Sequence, residues 1–221
     1  MDFSHARRMK LPKLYAITDA RLSGLSHAEQ VARLCEGGAS LIQLREKHLS
    51  PREFYREAVE ALRVAREWGA RLVINDRVDI ALAVGADGVH LGQDDLLPRA
   101  ARALLGDEAI IGFSTHDIGQ AAEAARLPLS YVAFGPVFDT SSKERPDAVV
   151  GLEGLRRARE AVGTKIPLVA IGGITPENAR SVLDAGADSL AVISALLSRG
   201  DPADITRRTR EFIALTERPG G

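Results

Sequence analysis

The sequence contains a single cysteine, Cys35, among its 221 residues. One thiol cannot form an intramolecular disulfide, which excludes a small secreted scaffold held together by disulfides. The setting of this cysteine in Val31-Ala32-Arg33-Leu34-Cys35 predicts the buried face of a helix. A reducing compartment fits this usage best, and we expect a cytoplasmic protein.

The sequence also lacks an excess of either charge and lacks long apolar runs. It has 29 Lys and Arg against 30 Asp and Glu, so no overall field favours nucleic acid or an anionic membrane. No apolar segment follows the charged residues 5–10, and no run approaches the length of a membrane span. We therefore expect a soluble, unexported protein without nucleic-acid or membrane partners, and any anion site must be local. The polar or glycine-rich ends, residues 1–10 and 218–221, are expected to be loosely held.

Short apolar runs alternate with longer amphipathic stretches, and no Ser, Gly or Pro linker divides the chain. This alternation predicts βα units that build a parallel sheet. The predicted strands are Leu14 to Thr18, Leu41 to Arg45, Leu72 to Asn75, Gly88 to Leu91, Ile110 to Ser114, Tyr131 to Phe134, Leu168 to Ile171 and Ser189 to Val192. Eight units in this length predict an α/β fold of one domain, a closed (β/α)₈ TIM barrel with a core from about residue 13 to 216. An open doubly wound sheet is the alternative.

Helix boundaries and a repeated junction support this architecture. Ser50-Pro51 supplies an N-cap and a first-turn proline for a helix that runs to Trp68, and Thr175-Pro176 is expected to open another helix in the same way. Three helix-to-strand junctions look alike: Gly38-Ala39-Ser40, Gly85-Ala86-Asp87 and Gly186-Ala187-Asp188. Their uneven spacing argues against a solenoid of fixed period and favours a repeated βα unit.

The most informative segment is Gln43-Leu44-Arg45-Glu46-Lys47, at the end of the second predicted strand. Because side chains alternate along a strand, Gln43, Arg45 and Lys47 would share one face, while Glu46 would take the other. An amide and two cations would then converge on one spot. The alternative is that both cations form ordinary surface ion pairs with nearby acids such as Glu46.

The other predicted strands also end in polar residues or glycine, and the C-terminal strand ends line the active site of such a barrel. These ends contain Asn75-Asp76, His90 to Asp95, Ser114-Thr115-His116, Gly135 to Lys143, Gly172-Gly173 and Ile193-Ser194. Hydroxyls beside Lys143 can bind a phosphate, and carboxylates from two neighbouring strands can hold Mg²⁺ against phosphate oxygens. Glycines after the seventh strand and a short helix start after the eighth commonly cradle a phosphate on backbone N–H groups. The combination indicates a multiply phosphorylated substrate with Mg²⁺.

Each of these residues also has a plainer interpretation. A helix cap is the alternative for three acids: Asp76, Asp94 and Asp95. His90 could be a hydrogen-bonded core histidine, His116 a neighbour of a helix cap, and Gly172-Gly173 a tight turn. Cations, paired acids, hydroxyls and glycines nevertheless fall at the same end of consecutive units, which favours a phosphate-binding active site.

The chain resembles the thiamine phosphate synthase and thiazole tautomerase family from Leu14 to about Ser194. The motifs that carry the resemblance are Gln43-Leu44-Arg45-Glu46-Lys47, Asn75-Asp76, His90-Leu91-Gly92-Gln93-Asp94-Asp95, Gly135-Pro136-Val137-Phe138 with Thr140 and Lys143, and Ile171-Gly172-Gly173-Ile174. The resemblance implies a transferase that joins 4-amino-2-methyl-5-pyrimidinylmethyl diphosphate to hydroxyethylthiazole phosphate. The products would be thiamine phosphate and pyrophosphate, formed by Mg²⁺-assisted dissociative displacement.

The resemblance also implies roles for individual residues. Asp76 and Asp95 match the Mg²⁺ ligands. The contacts to the pyrimidine diphosphate are matched by Gln43, Arg45, Lys47, Asn75, Ser114 and Lys143, of which Arg45, Lys47, Ser114 and Lys143 are the catalytic candidates. The thiazole phosphate pocket is matched by Thr140, Ser141, Ser142, Gly173, Ile193 and Ser194, and His90 is expected near the pyrimidine. The implied partners are phosphorylated small molecules, and a homo-oligomer is left open.

One loop departs from the synthase pattern, because Asp139 stands where the family usually has proline and Ser142 where it has threonine. The serine keeps a hydroxyl, whereas the carboxylate comes near a phosphate site. Two other functions are possible interpretations. The first is the tautomerase, which typically lacks the metal acids and uses a histidine after the fifth strand, where this chain has His116. The second is a barrel that binds a phosphate ligand without turnover. The presence of both Asp76 and Asp95 favours the synthase. The polar loop around Pro146 and Asp147 is long enough to move over the substrate.

Overall fold

Eight parallel strands pair in chain order and close on themselves, because the first strand pairs with the last as well as with the second. The computed structural model describes residues 10–140 and 148–217. The strands are β1 Leu14–Ile17, β2 Leu41–Leu44, β3 Arg71–Asn75, β4 Gly88–Leu91, β5 Ile110–Thr115, β6 Tyr131–Phe134, β7 Leu168–Ile171 and β8 Ser189–Val192. The predicted (β/α)₈ barrel is confirmed, and the open doubly wound alternative is wrong.

Helices lie between the strands and after the last one. They are α1 Ala20–Ser23, α2 His27–Glu36, α3 Pro51–Glu67, α4 Val78–Val84, α5 Pro98–Leu105, α6 Ile118–Ala124, α7 Gly151–Val162, α8 Ala179–Asp184 and α9 Ala203–Glu217. In the part of the chain that the structure describes, none of these helices is long and apolar enough to cross a membrane. Cys35 is buried on α2, as predicted.

One helix start was predicted correctly and another was not. Ser50 caps α3, since its side chain accepts from the N–H of Glu53, whose carboxylate accepts from the N–H of Ser50. The prediction that Thr175-Pro176 opens a helix is wrong, because α8 begins at Ala179 after a turn. Oδ1 of Asn178 accepts a hydrogen bond of 2.8 Å from the N–H of Thr175, and the carbonyl oxygen of Thr175 accepts one of 2.9 Å from the N–H of Ala179, so this turn leads directly into α8.

The alternation of side chains along each strand divides the core into two layers. The outer layer lies between the strands and the helices and contains apolar strand residues such as Ile42, Leu72 and Leu190. The inner layer fills the barrel and includes Leu41, Val73, Val169 and the two tyrosines described below. Each fully buried leucine or isoleucine stabilises the fold by about 1.5–3 kcal/mol. The barrel is therefore a packed core, and space for a ligand lies at its mouth.

The N-terminal ends of the strands are held by polar side chains that bond to the backbone. Asp87 and Asp188, the last residues of two of the look-alike junctions, each accept a hydrogen bond of 2.8 Å from the N–H of the preceding strand, at Leu72 and Leu168 respectively. Arg159 on α7 pairs with Asp188 and donates to the carbonyl oxygen of Gly186 at 2.8 Å. The repeated junction is thus a device that joins neighbouring βα units.

Candidate active site

A chain of hydrogen-bonded side chains runs through the barrel interior towards the C-terminal strand ends. Nε2 of Gln43 donates to the hydroxyl of Tyr15 at 3.1 Å, and the hydroxyl oxygens of Tyr15 and Tyr131 lie 2.8 Å apart. Nδ1 of His90 lies 2.9 Å from the Tyr131 hydroxyl, and Nε2 of the same ring lies 2.9 Å from Oγ of Ser114. His90 is therefore a hydrogen-bonded core histidine that also contacts a predicted site residue.

The two tyrosines keep this interior uncharged. Burial raises the pKa of Tyr15 to about 12, against the opposing effect of hydrogen bonds from Gln43 and Tyr131. Burial also raises the pKa of Tyr131 well above its ordinary value, and the neighbouring Tyr15 adds to the shift. Both hydroxyls stay protonated at neutral pH, so they offer hydrogen bonds and no charge. Sequence reasoning missed both residues, although each points into the barrel, as Gln43 and Ser114 do on the neighbouring strands.

Lys47, Asp76 and Asp95 meet at the ends of neighbouring strands. Nζ of Lys47 bonds to Oδ2 of Asp76. Burial raises the pKa of Asp95, and so does the adjacent Asp76 carboxylate, whereas the N–H of Gly92 and the charge of Lys47 act in the opposite direction. Oδ2 of Asp95 accepts a hydrogen bond of 2.7 Å from the N–H of Gly92. Two carboxylates and a cation therefore share one spot.

The backbone of Asp76 has an unusual conformation. Its φ angle is 63°, and it is the only positive φ outside glycine among the described residues. The left-handed region costs about 1–2 kcal/mol for a residue with a Cβ. Two backbone hydrogen bonds of 2.8 Å hold it there, from the N–H of Asp76 to the carbonyl of His90 and from the N–H of Arg77 to the carbonyl of Asn75. Such local strain is characteristic of functional sites.

The helix-cap interpretation of the acids is wrong. The N-caps of α4 and α5 are Arg77 and Leu97, and neither helix has a side-chain cap hydrogen bond. Asp76 and Asp95 instead direct their carboxylates to Lys47 and Gly92.

Asn75 points into the barrel at the end of β3 and has an unsatisfied donor. Its side chain belongs to a residue only 6% exposed, and its Nδ2 has no hydrogen-bond partner among the described residues. Leaving a buried donor unpaired costs about 1–3 kcal/mol. Asn75 is adjacent to His90 in the register of β3 and β4. A ligand acceptor placed beside His90 would satisfy it.

Arg45 and Lys47 do not pair with Glu46. Nη1 of Arg45 donates to Oδ2 of Asp19 at 2.9 Å, and Lys47 bonds to Asp76. Glu46 instead lies 3.2 Å from Nε2 of His27, away from the cluster. Both cations thus have carboxylate partners at the barrel mouth, and Asp19 is a third residue that sequence reasoning did not assign. The signal for Asp19 was its place directly after the first strand.

The loops after β6 and β7 pack tightly against each other. Gly173 has a φ of 62°, and a Cβ there would lie 2.5 Å from the carbonyl oxygen of Asp139. The N–H of Phe138 donates to the carbonyl of Gly172 at 3.1 Å, and Nδ2 of Asn178 donates to the carbonyl of Gly173 at 2.9 Å. Glycine is required at 173 by close approach as well as by backbone conformation.

The remaining predicted residues lie on the same side of the barrel or outside the described ranges. Ile193 and Ser194 follow β8, where the expected helix start is a single turn closed by bonds from Leu196 and Leu197 to the carbonyl of Ile193. Thr140 is half-buried after β6, and Asp139 is exposed. The residues outside the description are Ser141, Ser142, Lys143, Pro146 and Asp147, together with the chain ends at 1–9 and 218–221.

His116 lies at the end of β5 and is oriented by the backbone. Its Nδ1 donates to the carbonyl oxygen of Gly135 at 2.8 Å, and its N–H donates to Oε1 of Gln120 at 2.8 Å. The next residue, Asp117, is the N-cap of α6. His116 is therefore a neighbour of a helix cap, as one interpretation held.

A family model, curated relatives and a solved structure that resemble this chain all carry names that refer to a thiamine phosphate. Residues 14–196 match the family model described as thiamine monophosphate synthase. The chain is 44% identical to a thiamine-phosphate synthase of Chloroflexus aurantiacus over 206 residues, which cover 93% of this chain and 94% of the relative. It is 48% identical to a thiamine-phosphate synthase of Clostridium novyi over 190 residues, 86% of this chain and 92% of the relative. A solved structure of thiamine phosphate pyrophosphorylase from Pyrococcus furiosus superposes with a TM-score of 0.80 at 41% identity, over 93% of this chain and 95% of that one.

Proposed function

Because this chain belongs to the family of thiamine-phosphate synthases and is a transferase of thiamine biosynthesis, we propose how its own residues carry out that reaction. The barrel mouth joins 4-amino-2-methyl-5-pyrimidinylmethyl diphosphate to hydroxyethylthiazole phosphate and releases pyrophosphate. The observation that carries the proposal is the convergence of Lys47, Asp76 and Asp95 beside the unsatisfied amide of Asn75. Cation, paired carboxylates and buried donor together fit a diphosphate ester bound with a metal ion.

Asp76 and Asp95 would hold the metal ion, and Mg²⁺ fits this donor set. No group of three or more His, Cys, Asp or Glu within residues 10–140 and 148–217 is arranged to hold a metal. That agrees with Mg²⁺, which usually binds through one or two carboxylates and completes its coordination with water and substrate phosphate. Two carboxylates within hydrogen-bonding reach also repel each other, so a cation is favoured between them. When bound, Mg²⁺ supplies positive charge against the phosphate oxygens.

The diphosphate is bound and stabilised by the cations and a hydroxyl. Breaking the C–O bond sends its electron pair to the departing pyrophosphate, where negative charge accumulates. Arg45 and Lys47, which follow β2, and Ser114 on β5 would face that charge. Lys143, which lies outside the described residues, is proposed as a further cation. Interactions that strengthen as the charge develops lower the barrier more than they tighten substrate binding.

The pyrimidine enters the upper barrel, where Gln43, Asn75 and His90 offer directed hydrogen bonds. The neutral, buried tyrosines beside them give this space a low-polarity wall. The carbon left behind by the pyrophosphate becomes cationic, and the lone pair of the thiazole nitrogen captures it. Such a reaction depends on positioning and charge stabilisation and needs no strong base or covalent nucleophile.

The thiazole phosphate occupies the loops after β6, β7 and β8. The proposed contacts are Thr140, Gly173, Ile193 and Ser194, together with Ser141 and Ser142, which lie outside the described residues. Backbone N–H groups near Gly173 and the hydroxyls of this set suit a phosphate dianion. The family membership does not favour the tautomerase or a barrel without turnover. We further propose that residues from about 13 to 216 form one domain, that the protein acts in the cytoplasm, and that its partners are these phosphorylated small molecules.

The direct test is to incubate the protein with both substrates and Mg²⁺ and to measure thiamine phosphate. The expected result is product formation that stops when EDTA removes the metal. Correctly folded protein that forms no product would refute the proposed reaction. Product formation that is unchanged in EDTA would refute the role of Asp76 and Asp95 while leaving the reaction in place.

A further inference from the structure

Asp19, whose carboxylate pairs with Arg45, is held by hydrogen bonds through both carboxylate oxygens and its backbone N–H. Oδ1 of Asp19 accepts from the N–H groups of Arg21 and Leu22 at 3.0 and 3.1 Å, which caps α1. Oδ2 accepts from Nη1 of Arg45 at 2.9 Å. The backbone N–H of Asp19 donates to Oε1 of Gln30 at 2.9 Å, and Gln30 is fully buried. Asp19 is therefore fixed by α1 and α2 independently of Arg45.

The backbone of Arg45 is anchored to the same elements. Its N–H donates to Oγ1 of Thr18 at 3.2 Å, and that hydroxyl lies 2.8 Å from Nδ1 of His27. Nε2 of His27, a residue only 1% exposed, lies 3.2 Å from the carboxylate of Glu46. Buried polar residues of α2 thus tie the end of β1 to the end of β2 on both sides of Arg45.

The two cation pairs of the site differ in what their carboxylates can do. Asp76 is shared between Lys47 and the proposed metal position, so the bond from Lys47 competes with another partner. Asp19 has no such second use, because its Oδ1 is committed to the start of α1. Arg45 and Asp19 are also mostly buried, at 19% and 13% side-chain exposure. We therefore expect the ion pair between Arg45 and Asp19 to remain intact when substrate binds.

We propose that Asp19 is a positioning residue, which orients the Arg45 guanidinium towards the departing diphosphate; this rests on the role proposed above for Arg45. A guanidinium carries its five N–H donors in one rigid plane, so fixing Nη1 fixes the direction of the others. An arginine that is displaced by even 1 Å loses much of its effect on a reaction that depends on placement.

Two opposing effects determine how Asp19 acts on the kinetics. Its negative charge repels the diphosphate, which weakens substrate binding in the ground state. Its hydrogen bond orients Arg45, which stabilises the transition state. Removing the charge while keeping the side-chain shape should therefore lower kcat without raising KM for the pyrimidine diphosphate. A merely structural role would give no such division.

The test is Asp19→Asn, because an asparagine oxygen can still cap α1. We expect kcat to fall about tenfold, or about 1.4 kcal/mol. We expect KM for the pyrimidine diphosphate to stay within about twofold of wild type or to fall, since the repelling charge is gone. In an Arg45→Ala background the same change should have no further effect on kcat. The matched control is Asp117→Asn, at the N-cap of α6, where the side chain accepts from the N–H of Gln120 at 2.8 Å; this variant should keep wild-type kinetics.

An equal loss of kcat in both backgrounds, or a wild-type kcat in Asp19→Asn, would overturn the positioning role. If Asp19→Asn does not fold, Asp19→Ser also keeps a capping oxygen without the charge and must show the same dependence on Arg45. Wild-type kinetics in Arg45→Ala would instead overturn the role of Arg45 itself. Failure of this inference is thus distinguishable from failure of the proposed function.

Discussion

At the N-terminal ends of the strands the charged side chains are paired with backbone groups and with one another, whereas at the C-terminal ends two carboxylates lie side by side and share one cation. Arg159 donates to the carbonyl oxygens of Gly163 and Gly186, and Asp188 accepts from the N–H of Leu168. At the opposite end Lys47 and Asp76 pair, Asp95 lies beside them, and Asn75 has an unused buried donor. The charged groups at the N-terminal ends are paired within the fold, although Oγ of Ser189 there is buried without a hydrogen-bond partner among the described residues. The C-terminal ends leave two like charges adjacent and the Asn75 donor unpaired.

This difference separates stability from function within one barrel. Polar groups that are satisfied by the fold contribute to its stability. Strain, adjacent like charges and an unpaired donor lower stability and become favourable only when a ligand supplies the missing partners. We therefore expect substitutions at the two ends to change different measured quantities.

The largest expected effect is on turnover, in Asp95→Asn. Replacing one of two adjacent carboxylates by an amide removes a proposed Mg²⁺ ligand and relieves the repulsion from Asp76. We expect kcat/KM to fall by about 10²–10³-fold, comparable to the loss of a key charge-stabilising group, while the melting temperature is retained or rises. Steady-state assays and thermal melts measure both. Near wild-type turnover at ordinary Mg²⁺ concentrations would show that Asp95 is not a metal ligand.

The opposite profile is expected for Arg159→Ala at the N-terminal ends. This change removes the pair with Asp188 and the hydrogen bonds to backbone carbonyls. We expect a loss of about 2–3 kcal/mol in the free energy of unfolding, typical of buried hydrogen bonds to a charged group, with kcat unchanged. Urea denaturation and kinetics at a temperature well below the transition provide the test. A large loss of kcat in the folded variant would break the separation of the two ends.

A smaller effect is expected for Asn75→Leu, which is close in size and removes the unpaired donor. We expect KM for the pyrimidine diphosphate to rise about tenfold, which equals about 1.4 kcal/mol. The melting temperature should match or exceed that of wild type, because the change removes a buried donor that the fold leaves unpaired. A clear drop in melting temperature with unchanged KM would place Asn75 among the structural residues.

The smallest effect concerns the barrel interior and alkaline pH. Burial raises the pKa of Cys35 to about 11 and that of Tyr15 to about 12. Since the unfolded chain ionises first, the folded state binds more protons above the unfolded pKa values, and stability falls as pH rises. The free energy of unfolding should be level from about pH 7 to 8 and decline from about pH 9 towards 12. A level profile up to pH 11 would show that these groups are not protected from ionisation.

The strands could be predicted because each is a short apolar run buried on both faces. Closure itself was indicated only by the number of units. The helix start predicted at Thr175-Pro176 shows the limit of local patterns, since a turn precedes α8 and the helix begins at Ala179. A proline in a predicted first turn indicates a possible helix start, but it does not fix the residue at which the helix begins.

The site could be predicted in part, because its polar residues directly follow apolar strands. Tyr15 and Tyr131 could not, since 116 residues separate them and only barrel closure brings their hydroxyls together. Asp19 was missed for a related reason: its partner Arg45 lies 26 residues away, on the neighbouring strand end. Pairings of this kind depend on the register between strands, which local sequence does not specify.

The central claim is that the C-terminal strand ends need a metal ion and a diphosphate to be complete. Calorimetric titration of pyrophosphate into the protein, with and without Mg²⁺, tests it most directly. We expect pyrophosphate to bind wild type and Arg159→Ala only in the presence of Mg²⁺, and to bind Asp95→Asn with at least about tenfold lower affinity, equal to about 1.4 kcal/mol. Equal pyrophosphate affinity in wild type and Asp95→Asn, or binding that is independent of Mg²⁺, would contradict it.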